Sequence, residues 1–191
     1  MKEKQSAREK LLDVTFEEVY RYGYCGAGTA AILNKAGVPK GSMYHHFGSK
    51  KGMVIAMIKE RLIPKVRDFF DFRMRKEATA VEILEYTMRK IANNKMLVTH
   101  GCPLHRLMFE MDALDRDIAA LCEAEFENLR ANLAKVLHFG MKEGTIKEGD
   151  AEEIAGYVIA SSWGFLSRPA EVSSREQFLK DSSFLLQSLK K

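Results

Sequence analysis

The apolar residues of this chain recur at helical spacing almost from end to end. Leu11, Leu12, Thr15, Phe16, Val19 and Tyr20 fall at the i, i+3, i+4 interval of a buried stripe, with Glu, Lys and Arg on the opposite face. This predicts a first helix over residues 3–23, closed by Gly23. Ile32 and Leu33 anchor a short second helix, Thr29–Lys35, with Thr29 as its N-cap. Ala36-Gly37-Val38 makes a turn in which Gly37 takes a positive φ, and Pro39 stops the helix from continuing. A third helix starts at Lys40-Gly41-Ser42 and packs through Val38, Met43 and Phe47. Ser49 caps a fourth, which runs through Met53, Val54, Met57, Ile58 and Leu62 to about Arg75, kinked at Pro64.

The same spacing continues downstream. Val81, Leu84, Met88 and Ile91 mark a helix over 78–95. Gly101 breaks the chain, Cys102 falls at an N-cap and Pro103 at the first helical position, where its missing N–H is harmless. Residues 115–142 read as one long helix. Asp150 opens another to about Ser167, and Ser174 the last, to Leu189. The Val/Ile/Thr alternation of strands is scarce and no apolar run approaches the ~20 residues that span a bilayer. The expected fold is all-α with about nine helices.

Charge refines this picture. The chain of 191 residues carries a formal net charge of +4. Residues 1–52 hold nine Lys and Arg against five Asp and Glu, so the remaining 21 basic and 21 acidic residues balance. A basic N-terminal unit on a neutral body is the footprint of a nucleic-acid-binding head. Three cysteines at wide spacing make neither a disulfide framework nor a zinc site, which points to a reducing, cytoplasmic setting. The first residues lack the apolar segment of a signal peptide. His45 and His46 point to different sides of a helix and have no third ligand at suitable spacing, so no metal is expected, and His46 is expected to pack within the head. No nucleophile elbow, phosphate loop or paired carboxylates suggest an enzyme, and no cofactor is expected.

Two short helices joined by a glycine-containing turn describe a helix-turn-helix, whose second helix enters the major groove. Between Thr29 and Gly52 there are four lysines and no Asp or Glu. The Ala-Gly-Val-x-x-Gly-Ser-x-Tyr-x-His-Phe core and the Ser-Lys that follows resemble the DNA-binding signature of the TetR family. Tyr22-Gly23-Tyr24 is similar to the aromatic-Gly-aromatic stop that precedes the family's second helix. Thr29-Ala30-Ala31 departs from it, because relatives carry a Thr-Thr or Thr-Ser pair near there.

The resemblance implies residues 1–52 as the DNA-binding head, a linking fourth helix to about residue 75, and 76–191 as a helical ligand-binding and dimerisation domain. It implies that Tyr44 and Lys50 grip phosphates while Lys40, Ser42 and His45 reach base edges. Gly41 lets the backbone approach closely, and Thr29 sits where helical N–H groups could hold a phosphate. The implied partners are operator DNA and a second copy of the chain, paired through the last two helices. The implied function is a repressor released by a small apolar or electrophilic effector. Met88, Met108, Met111, Phe126, Tyr157 and Trp163 are the candidates for its pocket.

Cys102 opens an alternative. A thiol at a helix N-terminus, near His100, His105 and Arg106, is expected to have a lowered pKa. Its Gly-Cys-Pro-Leu segment is similar to the Gly-Cys-Leu of a TetR branch that senses electrophiles and chlorine oxidants. The switch would then be covalent.

Overall fold

The structure, a computed structural model, describes residues 5–168 and 173–191, so residues 3 and 4 of the expected first helix lie outside it. Its helices are α1 (Ala7–Gly26), α2 (Thr29–Ala36), α3 (Lys40–Phe47), α4 (Lys50–Met57), a π turn (Ile58–Leu62), α5 (Ile63–Phe69), α6 (Ala80–Ala92), α7 (Lys95–His100), α8 (Pro103–Asp112), α9 (Arg116–Lys142), α10 (Ala151–Leu166) and α11 (Arg175–Leu189). With α4, the π turn and α5 taken as one bent rod, these are nine principal helices and the short α7 among the described residues. An isolated antiparallel bridge joins Ile146 to Lys190.

By compactness the chain divides into two units. Unit 1 comprises Met1–Val66 and Arg106–Cys122; unit 2 comprises Arg67–His105 and Glu123–Lys191. The division therefore runs through α5, α8 and α9 rather than at a linker.

In unit 1 the periodic residues close on one another. Leu11, Leu12, Ile32, Met43, Met53, Met57 and Ile58 are almost wholly buried, and each stabilises the fold by roughly 1.5–3 kcal/mol relative to exposure. Ser6 caps α1 and Ser49 caps α4, the latter accepting from the Gly52 amide at 3.0 Å. Gly52 itself is dictated by packing. A Cβ there would lie 2.2 Å from the Phe47 carbonyl oxygen, so the turn into α4 closes only over a hydrogen atom.

The expected kink at Pro64 takes the form of a widened turn, in which the Ile63 amide donates to Ile58 O five residues back. Proline supplies no N–H to the Glu60 carbonyl, and the Arg61 guanidinium donates to it instead at 3.1 Å. The rod ends at Phe69, short of the expected Arg75. Phe70 and Phe72 are drawn into the core of unit 2, and the buried Asp71 between them accepts from Arg73 at 2.6 and 3.0 Å and from Arg75 at 2.7 Å. The Thr87 hydroxyl donates to the Asp71 carbonyl at 2.8 Å. These tertiary bonds replace those the helix would have made.

Elsewhere in unit 2, α6 begins with a full capping box between Thr79 and Glu82. Arg67 donates through two nitrogens to the buried Glu125 on α9, at 2.9 and 2.7 Å. The short α7 replaces the end of the helix expected over 78–95; Asn94 interrupts it and caps the new one.

Gly52→Ala is expected to lower the unfolding free energy by at least ~1–3 kcal/mol in urea titration. Gly41→Ala, where a Cβ meets nothing within 4 Å, should stay within about 0.5 kcal/mol of wild type.

Candidate nucleic-acid interface

The turn between α2 and α3 is built as its sequence suggests. Gly37 adopts φ 64° and ψ 39°, and its amide donates to Asn34 O and Leu33 O while that of Val38 donates to Leu33 O. Pro39 then occupies the N-cap of α3. Met43 is the fully buried residue of α3, with Val38 and Phe47 half-buried. Lys40, Gly41, Tyr44 and His45 lie exposed, Tyr44 by 51%, and Ser42 is half-buried beside them.

Two expectations are corrected here. Thr29 does not cap α2: Gly28 does, with no side-chain bond, and Thr29 is the first helical residue. Glycine leaves the first-turn N–H groups more open than a capping hydroxyl would. His46, expected to pack within the head, is exposed and meets the rings of His45 and Phe47 at 5.0 and 6.0 Å. Neither α2 nor α3 has a side-chain cap, so both begin with unfilled donors at the positive end of the dipole.

The four lysines of this stretch are not equivalent. Lys35 is bonded to Glu17 at 2.8 Å and Glu18 at 3.2 Å. Lys51 is bonded to Asp115 at 2.8 Å and Asp117 at 2.7 Å, and the hydrogen bond to Asp115 is the main cause of its raised pKa. The same contact lowers that of Asp115. Lys50 donates to the Tyr24 carbonyl at 2.6 Å and lies 4.6 Å from the centre of the Tyr24 ring, with no carboxylate partner among the described residues. Lys40 stands over the Tyr44 ring at 5.9 Å and has no carboxylate partner among the described residues. Lys40 and Lys50 thus carry the uncompensated charge of the stretch.

A family model described as "Bacterial regulatory proteins, tetR family" matches residues 11–57, the segment that builds this surface. The chain belongs to the TetR family. An uncharacterised HTH-type transcriptional regulator of Lactococcus lactis subsp. lactis is 28% identical over 137 residues, 70% of this chain and 69% of that protein. The nucleoid occlusion factor SlmA of Actinobacillus pleuropneumoniae is 31% identical over 135 residues, covering 69% of this chain and 64% of its own length. The chain thus spans about two thirds of these relatives. The crystal structure of reduced Escherichia coli NemR superposes with a TM-score of 0.83 at 21% identity, over 97% of this chain and 98% of that one. TetR membership makes the chain a DNA-binding transcriptional regulator and not an enzyme. Among the described residues, no helix is long and apolar enough to cross a membrane.

Of the six residues expected to line an effector pocket of this TetR-family chain, two belong to unit 1 and four to unit 2. Met108 and Met111 group with unit 1, and Met111 is fully buried. Within unit 2, Trp163 is buried against Phe126, with ring centres 5.3 Å apart, and stacks on His105 at 4.4 Å. Met88 is buried one residue away, its sulfur 3.9 Å from the Ser162 hydroxyl. It also reaches a cavity of about 260 Å³ between α6 and α11, rimmed by Glu85, Arg89 and Lys190. Tyr157 is corrected: it is 59% exposed on α10 and does not face the interior.

Cys102 is also corrected. It is 1% exposed, and burial pushes its thiol up to about 11. The Leu104 and His105 amides and the Trp163 indole N–H face the sulfur and pull the other way, but desolvation outweighs them. The indole N–H makes no full hydrogen bond. Burial likewise lowers the pKa of His105, which removes a cation the sequence placed beside the thiol. Sequence reasoning missed the acidic partners of the lysines altogether, since Glu17, Asp115 and Asp117 carry no local signal of their role.

Iodoacetamide at neutral pH is expected to label the exposed Cys25 and spare Cys102, as read by mass spectrometry of tryptic peptides. Rapid modification of Cys102 in the folded protein would contradict its burial.

Proposed function

We propose that the chain is a homodimeric repressor that grips a palindromic operator with α3 and releases it when a small ligand binds unit 2. The observation that carries the DNA contact is the arrangement on α3. Lys40, Tyr44 and His45 are exposed together, and among the described residues Lys40 has no neutralising carboxylate. Lys40, Ser42 and His45 are assigned to base edges, with Lys40 as the best donor to guanine O6 and N7. Tyr44, Lys50 and the open N-terminus of α2 at Thr29 are assigned to phosphates. Gly41 leaves that face of α3 without a side chain.

Pairing of two chains is supported by α10 and α11. Phe184 is 82% exposed and Tyr157 59%, and Glu153, Tyr157, Ala160 and Gly164 form an exposed stripe on α10. Small residues at that spacing let a partner helix approach closely, and aromatics of this size are rarely left in water. A two-fold dimer would set two α3 helices on successive major grooves.

For the effector, the grouping of Trp163, Phe126, His105 and Met88 favours a ligand with an apolar or aromatic body. Such a ligand shifts the equilibrium only by binding the released state more tightly than the DNA-bound one. The covalent alternative through Cys102 is weaker, because a buried thiol with a raised pKa is a poor nucleophile at neutral pH.

Selection of duplexes from a random library by the wild-type chain is expected to enrich a palindrome. Lys40→Ala should lose ~1–3 kcal/mol of preference at one position per half-site, while leaving binding to unrelated sequence unchanged. Phe184→Glu should give a monomer by analytical ultracentrifugation and weaken binding to the full palindrome. A dimer of unchanged affinity would place the interface elsewhere.

A further inference from the structure

Helix α1 is broken near its end. Gly23 takes φ 76° and ψ 176°, and a last helical turn resumes after it to Gly26. The break strands carbonyls on one side and amides on the other, and two residues of α8 take them up. The Arg106 guanidinium donates to Tyr20 O at 2.9 Å and to Arg21 O at 3.4 Å. The Glu110 carboxylate accepts from the Tyr24 amide at 2.7 Å and the Cys25 amide at 2.8 Å. A cation thus meets the negative end of one helical segment and an anion the positive end of the next. The approach is so close that a Cβ on Gly23 would sit 2.6 Å from a Glu110 oxygen.

Tyr24, held in this way, is also the seat of Lys50. The Lys50 ammonium takes the Tyr24 carbonyl at 2.6 Å and lies over its ring. An ammonium has three donors, so this contact leaves two for another acceptor. We propose that Glu110, far outside the helix-turn-helix in sequence, is a positioning residue for DNA binding: by clamping the Tyr24 and Cys25 amides it fixes the carbonyl and ring that aim Lys50 at a phosphate. The proposal rests on the reading of Lys50 as a phosphate contact. Without the clamp the Gly23 hinge is free, Tyr24 turns, and Lys50 must be ordered anew each time DNA binds.

The test uses the full chain and a duplex enriched from a random library by the wild type. Affinity is measured by fluorescence anisotropy across a range of KCl concentrations, since each phosphate contact adds about 0.9 to the slope of log K against log salt. Lys50→Ala and Glu110→Gln are each expected to weaken binding about tenfold and to flatten that slope by about one contact per half-site. Gln keeps the size of Glu110 but turns one acceptor into a donor facing an N–H. The double variant should bind within about twofold of Lys50→Ala alone, because both act through one contact.

A purely structural role for Glu110 would lower the active fraction and leave the slope intact, and that result overturns the proposal. So does a double variant whose losses multiply. If Glu110→Gln unfolds, Glu110→Asp, which shortens the reach by one methylene, is read by the same criteria. Lys50→Ala with an unchanged slope would remove the phosphate contact and the proposal together. A wild type that enriches no duplex would instead refute the DNA-binding reading itself.

Discussion

The break in α1 at Gly23 sets a constraint that much of unit 1 answers to. A helix that stops and restarts leaves polar backbone groups without partners, and near a protein core such groups are costly unless they are satisfied. Here the partners are Arg106 and Glu110, one helical turn apart on α8. This accounts for the grouping of Arg106–Cys122 with the N-terminal helices. It also restricts residue 23 twice over, by its positive φ and by the carboxylate lying where a side chain would be. The bonds Lys51 makes to Asp115 and Asp117 tie α4 to the same returning segment.

Electrostatics follow from that arrangement. The formal charge of the first 52 residues suggests a uniformly basic head, yet Lys35 and Lys51 are each bonded to two carboxylates. Their role is internal. Between Thr29 and Gly52 what remains is a sparse pattern, Lys40 on the exposed face of α3 and Lys50 seated on Tyr24, alongside two helix N-termini without side-chain caps. A sparse pattern reads DNA more selectively than a broad positive field, because each contact fixes a position rather than merely attracting the polyanion.

Cys102 illustrates two opposing effects on one group. Its place at the start of α8 supplies N–H donors that favour a thiolate, while the packing of Trp163 and His105 around it removes water. Desolvation is the larger effect. Position in a helix could be read from the sequence; burial could not.

The sequence by itself determined the helical class, the elements of the head and the family. These depend on interactions between residues a few positions apart: apolar spacing, the Gly37 turn, Pro39, and the caps at Ser49, Asp150 and Ser174. It also marked Lys40, Tyr44 and His45 as an outward face, because Met43 and Phe47 take the packed side of α3. Tertiary structure decided what local rules cannot reach. It ended the long rod at Phe69, since Phe70 and Phe72 are drawn into the core and the Asp71 carbonyl accepts from Thr87, and turned the Pro64 kink into a π turn. It exposed His46 and Tyr157, and scattered the proposed pocket residues over two units. It also supplied Glu110 to the amides of Tyr24 and Cys25. That pairing spans more than eighty residues, and such a contact has no period to betray it. Read alone, Arg106 and Glu110 look like a routine i, i+4 pair on a helix surface. Only the fold places the Gly23 break between them.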